Sequence, residues 1–350
     1  MKRPYSLLTL ILALCLLVGT AGCLSSCGDN SPVILRYGQQ YLTENEFTYE
    51  MALSKTQYLT ENSLTEDDPL LWAQKLSDGS TVGEACMAQL KKSLVLRLYF
   101  ADLAQTKGYG LTQEEEELMR QSVDKMVSNF STRAEFDGYM GAFGVGYDQI
   151  LRLMRQQYLS QKGQALCFAQ GAPMEVTQQD AVEYFTKNFV TLKHVYVNNV
   201  DRTYPNNKTV PLTPEQIEEQ NAKIEAIRQE LTVENFDSFL SQSEDHFAKE
   251  PKAVTLQRGE SGLEEYDRVA FEAPVGQITE ALTPKGVFFI LRQSLDSAYL
   301  TEELTKSLQA KLTQEALDGL YDTYLPQCSL EAALWNQYSF ATAPSFTAIP

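Results

Sequence analysis

Two histidines are the scarcest potential catalytic groups of this 350-residue chain, His194 and His246. His194 lies in an apolar run from Val190 to Val197, and His246 directly follows Asp245. An imidazole that is hydrogen-bonded to a carboxylate can hold or move a proton near neutral pH, and it can polarise a bound amide. Two histidines supply too few ligands for a zinc site, so no metal is expected. His246 is expected to be an exposed loop residue.

Other kinds of chemistry have no support in the sequence. It contains no Ser/His/Asp arrangement, phosphate-binding loop or HExxH motif, so neither hydrolase nor nucleotide-binding function is indicated and no cofactor is expected. The formal net charge of −17 argues against nucleic-acid binding, because contacts to phosphates require basic surfaces.

Two predicted strands and one helix would position His194. The strands are the runs at 190–197 and 285–292, which are rich in apolar and β-branched residues and are bounded by turn residues. A helix is predicted to start at Thr213, whose hydroxyl can cap free amides, with Pro214 in the first turn. The apolar positions of this helix fall on one face, so it is predicted to cover a sheet.

Several short features follow one another within residues 189–292. They are His194 in its strand, Phe236-Asp237-Ser238-Phe239-Leu240, Ser243-Glu244-Asp245, Phe271, Val275-Gly276-Gln277-Ile278 and Gly286. In this order they resemble the parvulin-type peptidyl-prolyl isomerase domain. The resemblance implies a small α/β domain that rotates the peptide bond before proline.

The resemblance also implies a hydrogen-bonded catalytic cluster. His194 corresponds to its first histidine and Asp245 to its acid. The second histidine of the family lies in a Gly-x-His-Ile-Ile pattern on the last strand, where this chain has Phe288. Tyr266 and Phe271 correspond to residues that line the proline pocket, or they are ordinary core residues, and Phe288 is expected to face the same pocket. With one histidine replaced, isomerase activity is expected to be weak or absent.

The N-terminus has the pattern of an export signal. Lys2 and Arg3 precede an apolar run from Leu7 to Val18, which is too short to span a bilayer, and small residues precede Cys23. This arrangement resembles a bacterial lipobox, which implies a lipid on Cys23 and an extracytoplasmic protein anchored to the cell membrane. Lipidation of Cys27 and an ordinary secretion signal are the alternatives.

The remaining cysteines form no recognisable framework. Cys27, Cys86, Cys167 and Cys328 match neither zinc-site spacing nor a dense disulfide pattern. Free thiols are predicted, one disulfide is the alternative, and its pairing stays open.

The predicted fold class is α+β. Capping boxes indicate helix starts at Thr43 with Glu46, Thr112 with Glu115 and Thr177 with Asp180. The element order resembles PrsA-type and SurA-type foldases, which implies a helical chaperone domain built from both chain ends around an inserted parvulin-like domain; a generic helical domain is the alternative.

The predicted limits are a signal peptide at 1–22, an N-terminal helical domain at 23–188, a parvulin-like domain at 189–296, a C-terminal helix at 297–337 that packs on the N-terminal domain, and a loose tail at 338–350.

Three functional hypotheses follow. The first is a membrane-anchored foldase that binds unfolded or proline-containing secreted polypeptides and has reduced isomerase activity. The second is an inactive peptide-binding chaperone or scaffold. The third, a solute-binding lipoprotein, is the least favoured, because such proteins usually show alternating strands and helices in two lobes. The oligomeric state stays open.

Overall fold

Both ends of the chain contribute to one folded unit, and the middle forms a second. In the computed structural model, which describes residues 31–64, 67–203 and 209–346, the first unit comprises the chain up to Glu175 and from Thr313 onward, and the second comprises Val176–Leu312. Helices and small sheets occur together, so the predicted α+β class is confirmed. The predicted signal peptide, Cys23 and Cys27 lie outside the described residues.

The strands of the described residues are β1 Val33–Tyr37, β2 Gln40–Thr43, β3 Phe189–Val197, β4 Asp201–Thr203, β5 Thr209–Pro211, β6 Val254–Gln257, β7 Ile278–Thr283, β8 Gly286–Gln293 and β9 Ser329–Leu330. The helices are α1 Glu44–Glu61, α2 Pro69–Trp72, α3 Val82–Thr106, α4 Gln113–Val127, α5 Arg133–Gly141, α6 Tyr147–Phe168, α7 Gln178–Asn188, α8 Pro214–Glu230, α9 Phe236–Phe239, α10 Glu264–Glu272, α11 Glu302–Tyr324 and α12 Ala332–Trp335. No helix in these ranges is long and apolar enough to cross a membrane.

Side-chain caps explain where many helices begin. The three predicted capping boxes are present at the starts of α1, α4 and α7, and Thr213 caps α8 as predicted. In each case the threonine hydroxyl accepts a backbone N–H that the helix leaves unpaired, and such a cap typically stabilises by about 1 kcal/mol.

The first unit is organised around α3 and α6. Their backbones approach closely at Gly163, where a side chain would collide with the backbone at Phe100. A three-stranded sheet in the order β2-β1-β9 joins both ends of the chain in this unit. The three cysteines of the described residues, Cys86, Cys167 and Cys328, are free thiols.

The tail is packed rather than loose, so this expectation was wrong for its described part. Phe340 is 1% exposed, and Phe346 stacks on Phe143 with 4.1 Å between ring centroids. The buried Lys55 ammonium donates to the carbonyl of Ala343 at 2.8 Å. Aromatic burial therefore fixes a segment that has no periodic sequence pattern.

The second unit is built on a four-stranded sheet in the order β6-β3-β8-β7, with antiparallel neighbours. Ile224 and Ile227 of α8 pack on one face, as the apolar stripe predicted. Helix α10 packs on the opposite face. In this unit α7 also packs against the first half of α11, through Phe185 and Leu308. The domain limits expected at 188 and 296 stay predictions.

Candidate functional site

The pairing of β3 with β8 determines which side chains share the α10 face of the sheet. His194 lies opposite Ile290, and Tyr196 lies opposite Phe288. Because side chains alternate along a strand, His194, Tyr196 and Phe288 point to the α10 face, while Val195 and Phe289 point to the α8 face. The strand pattern therefore places Phe288 beside His194.

His194 is held at both ring nitrogens. Its Nε2 lies 2.5 Å from Oδ2 of Asp245, and its Nδ1 lies 2.7 Å from the hydroxyl of Tyr266 on α10. The imidazole is 5% exposed and Tyr266 is 2% exposed. Both ring orientation and position are thus fixed by buried partners.

Asp245 is itself held by the loop that follows α9. Its Oδ1 accepts the Ser243 hydroxyl at 2.7 Å and the backbone N–H of Phe247 at 3.0 Å. The Ser243 oxygen in turn accepts the backbone N–H of Tyr196 at 2.9 Å. The loop is therefore hydrogen-bonded to the strand that carries His194.

The network determines the protonation of Asp245 and Tyr266 and which atoms donate its hydrogen bonds. Burial raises the pKa of Asp245, but the hydrogen bond and charge of His194, with the bonds from Ser243 and Phe247, outweigh burial and hold the pKa below its ordinary value. Burial, followed by the charges of Asp245 and Asp267, raises the pKa of Tyr266 well above its ordinary value, so the phenol stays protonated. A carboxylate only accepts, so Nε2–H of His194 donates to Asp245, and the Tyr266 hydroxyl donates to Nδ1 whenever Nδ1 carries no proton.

Aromatic rings enclose this polar pair. The centroid of Phe288 lies 5.2 Å from that of His194, 4.8 Å from that of Tyr266 and 4.4 Å from that of Tyr196, on which Phe288 stacks. The centroid of the Phe247 ring lies 4.1 Å from that of His194. The surroundings have a low dielectric, so hydrogen bonds within the site are stronger than in water.

Four of the five residues predicted for the site are brought together: His194, Asp245, Tyr266 and Phe288. The fifth, Phe271, packs at the edge of the same apolar cluster, but its ring lies under the guanidinium of Arg258 at 4.1 Å. The catalytic and substrate-binding roles assigned to all five stay predictions.

Sequence reasoning missed part of the network. The sequence indicates Ser243 only as a neighbour of Asp245, and the resemblance implies only a lining role for Tyr266, yet both hydroxyls complete hydrogen bonds. Tyr196 could have been found, because it follows His194 by two positions and so lies on the same strand face. Nothing local to the sequence shows that the phenol of Tyr266 reaches Nδ1.

His246 lies at the edge of the site. Its side chain is 63% exposed, as expected, and its Nδ1 is 3.8 Å from Oδ2 of Asp245. In the described part of the chain, no three histidine, cysteine or carboxylate side chains lie close enough together to hold a metal ion. The site thus offers one oriented imidazole, an ionised acid and a phenol among aromatic rings.

Comparisons with known proteins give structural likenesses only. No family model matches the chain, and no curated protein matches it. The peptidylprolyl isomerase PrsA from Bacillus cereus is 18% identical with a TM-score of 0.33, over 85% of this chain and 90% of that one. The foldase protein PrsA from Lactococcus lactis is 12% identical with a TM-score of 0.27, over 88% and 99%. The foldase protein PrsA from Streptococcus pneumoniae is 11% identical with a TM-score of 0.25, over 85% and 87%. The chain is therefore similar to solved PrsA structures.

Proposed function

We propose that this protein is an extracytoplasmic foldase that binds unfolded, proline-containing secreted polypeptides and accelerates isomerisation of their X-Pro bonds. The observation that carries the proposal is His194, held between Asp245 and Tyr266 beside Phe288. These four residues come from β3, the loop after α9, α10 and β8. A buried polar network assembled from four segments is a costly arrangement that suits a binding site better than a plain core.

The chemistry asked of the site is modest. Rotation of an X-Pro bond must overcome amide resonance, a barrier of about 18–20 kcal/mol, and no bond needs to break. A site accelerates rotation when it binds the twisted amide better than the planar one. Aromatic surfaces such as Tyr196 and Phe288 would hold the proline ring, and the oriented dipoles of His194 and Tyr266 would favour the altered charge of the twisted amide.

Phe288 limits the expected rate. The resemblance places a second histidine at this position, and a phenyl ring offers neither a donor nor an acceptor. Tyr266 supplies the hydrogen bond to Nδ1 instead. The network is therefore complete but less polar, and isomerase activity would be lower than that of a domain with two histidines.

The second candidate is a chaperone that binds peptides without isomerising them. What favours it is closure of the site: His194 is 5% exposed and Phe288 is 7% exposed. Both nitrogens of His194 are already used within the protein. An amide would then meet apolar rings, and neither nitrogen of His194 would be available to it.

Refolding of a protein whose slow step is proline isomerisation separates the two. A foldase shortens the slow phase, whereas a passive chaperone suppresses aggregation and leaves that phase unchanged. His194→Ala should abolish the acceleration, and His246→Ala, at the exposed histidine, is the matched control and should preserve it. Suppressed aggregation without acceleration by the wild type would support the second candidate.

Anchoring at the membrane is a separate part of the proposal. It rests on the apolar run and small residues before Cys23. Mass spectrometry of the mature N-terminus in the native host should find a lipid on Cys23. An unmodified chain that begins elsewhere, or acylation at Cys27, would overturn the assignment.

A further inference from the structure

A second potential site lies in the first unit, in a cavity of about 320 Å³ between β2, α3, α4 and α6. The lining residues are Gln40, Gln105, Gly110, Leu111, Glu116, Arg152, Arg155, Gln156 and Leu159. This volume is at the lower end of the range for small-ligand cavities and exceeds what one water needs. Three of the lining side chains are glutamine amides.

The three amides form a chain of fixed direction. Gln156 Nε2 lies 3.2 Å from the backbone carbonyl of Tyr41, which only accepts, so this nitrogen is the donor. The same Nε2 donates to Oε1 of Gln40 at 3.3 Å. Nε2 of Gln40 must then face Gln105, and it donates to Oε1 of Gln105 at 2.8 Å. One backbone carbonyl therefore orients all three side chains.

With the amides in these orientations, one polar atom at each end of the glutamine chain has no hydrogen-bond partner among the described residues. Gln156 is 3% exposed, and its Oε1 is a buried acceptor with no partner among the described residues. At the other end, Gln105 is an exposed residue, and its Nε2 makes no hydrogen bond to any of the described residues. Buried polar atoms are nearly always satisfied, so an orphaned acceptor in a cavity wall indicates a missing partner.

The charges of the wall are already neutralised. Arg152 is paired with Glu46, and Arg155 is paired with Glu116 at 2.8 Å. A carboxylate ligand would meet no unpaired cation, and an ammonium ligand would meet no unpaired acid. The wall therefore suits a neutral ligand that offers both a donor and an acceptor.

We propose that this cavity binds carboxamide groups, which continue the glutamine chain at either end: one donates N–H to Gln156 Oε1, and one accepts from Gln105 Nε2. Both the peptide group and the side-chain amide of Asn or Gln have this chemistry. The expected source is an unfolded polypeptide, and in this respect the inference rests on the proposed function. It adds a binding site in the unit that does not contain His194.

Titration of the full-length protein with small neutral amides tests the proposal. N-methylacetamide represents the peptide group, propionamide represents the side-chain amide, and methyl acetate has the same shape without the N–H donor. The readout is the NMR signal of the Gln105 side-chain NH₂. At least one amide should give a saturable shift in the millimolar range, and the amide that binds more tightly identifies the source.

Variants locate the binding. Gln156→Leu keeps the volume but removes the acceptor, so amide affinity should fall about tenfold, the loss expected for one buried hydrogen bond. Gln105→Leu, at an exposed position with little risk to folding, should weaken binding similarly when followed by calorimetry. Gln121→Leu, an exposed glutamine on α4 of the same unit, is the matched control and should change nothing.

Three results would overturn the proposal. Methyl acetate could bind as tightly as the amides, or neither amide could give a saturable shift. A crystal structure determined with saturating amide could show only water on Gln156 Oε1. A failure of this proposal can be distinguished from a failure of the proposed function. His194→Ala removes a residue that does not line the cavity, so it should leave amide binding intact. Normal isomerase activity without amide binding refutes the cavity alone, and amide binding without isomerase activity refutes catalysis alone.

Discussion

At the scale of single residues, Tyr266 has the least expected role, because its phenol completes the hydrogen bonds of His194. Tyr266→Phe removes this donor and leaves Nδ1 buried without a partner. We expect the free energy of unfolding to fall by about 1–3 kcal/mol. We also expect isomerase activity to fall. Tyr299→Phe, at an exposed tyrosine of the same unit, is the matched control, and equal effects of both variants would contradict the role of Tyr266.

A substitution at Phe288 is expected to raise isomerase activity. In Phe288→His the new imidazole would face His194 and Tyr266, since the register of β3 and β8 fixes its direction. It could donate to the Tyr266 oxygen and add a polar contact to the twisted amide. We expect isomerase activity to rise roughly tenfold, the equivalent of about 1.4 kcal/mol in the barrier.

Burial of an imidazole opposes this gain. Phe288→Leu, which changes the ring but adds no polar atom, is the control and should not raise the rate. A folded Phe288→His variant with no increase in activity would show that the pocket has diverged at more than this position. An increase that survives a further His194→Ala change would show that the two imidazoles do not act together.

Asp245 predicts a dependence of stability on pH. Folding lowers the pKa of this carboxyl, so its ionised form stabilises the folded state. The stabilisation is complete above the unfolded-state pKa of about 4 and is lost as the pH falls through the lower folded-state value. The free energy of unfolding, measured in urea, should therefore fall more steeply with decreasing pH for the wild type than for Asp245→Asn. Identical slopes for the two proteins would contradict the assignment.

At the scale of elements, the turn between β7 and β8 sets the register that places Phe288. Gly286 has φ +141°, and a Cβ there would lie 2.9 Å from Cα of Asn198 and closer still to the carbonyl oxygen of Val197. Gly286→Ala should therefore destabilise by more than the ~1 kcal/mol of an unfavourable φ alone.

Gly276→Ala separates these two causes. Gly276 also has a positive φ, +78°, but nothing lies within 4 Å of its added Cβ. Thermal unfolding of both variants would measure the difference. Equal destabilisation would mean that the close approach of β3 to Gly286 is unimportant.

Elements were easier to predict than contacts. Apolar and β-branched runs bounded by turn residues located β3 and β8, and capping residues located the starts of α1, α4, α7 and α8, because these signals are local. The hydrogen bond from Tyr266 to His194 could not be predicted, since it depends on how α10 packs on the sheet. The same holds for the aromatic tail, whose burial depends on residues about 200 positions or more away, such as Phe143 and Lys55.

At the scale of the whole molecule, the two units divide the proposed work. The inserted unit contains the hydrogen-bonded imidazole, and the unit formed by both chain ends contains the cavity with the glutamine chain. A client polypeptide has both prolines and carboxamides, so each unit would recognise a different feature of it. The net charge of −17 would favour solubility.

The network around His194 is proposed to lower the barrier to X-Pro rotation. The most direct test is NMR exchange between the cis and trans forms of a short Ala-Pro peptide, with wild type, His194→Ala and His246→Ala at equal concentration. We expect faster exchange with the wild type and with His246→Ala, and exchange at the uncatalysed rate with His194→Ala. Uncatalysed exchange with the folded wild type, or undiminished catalysis by His194→Ala, would contradict it.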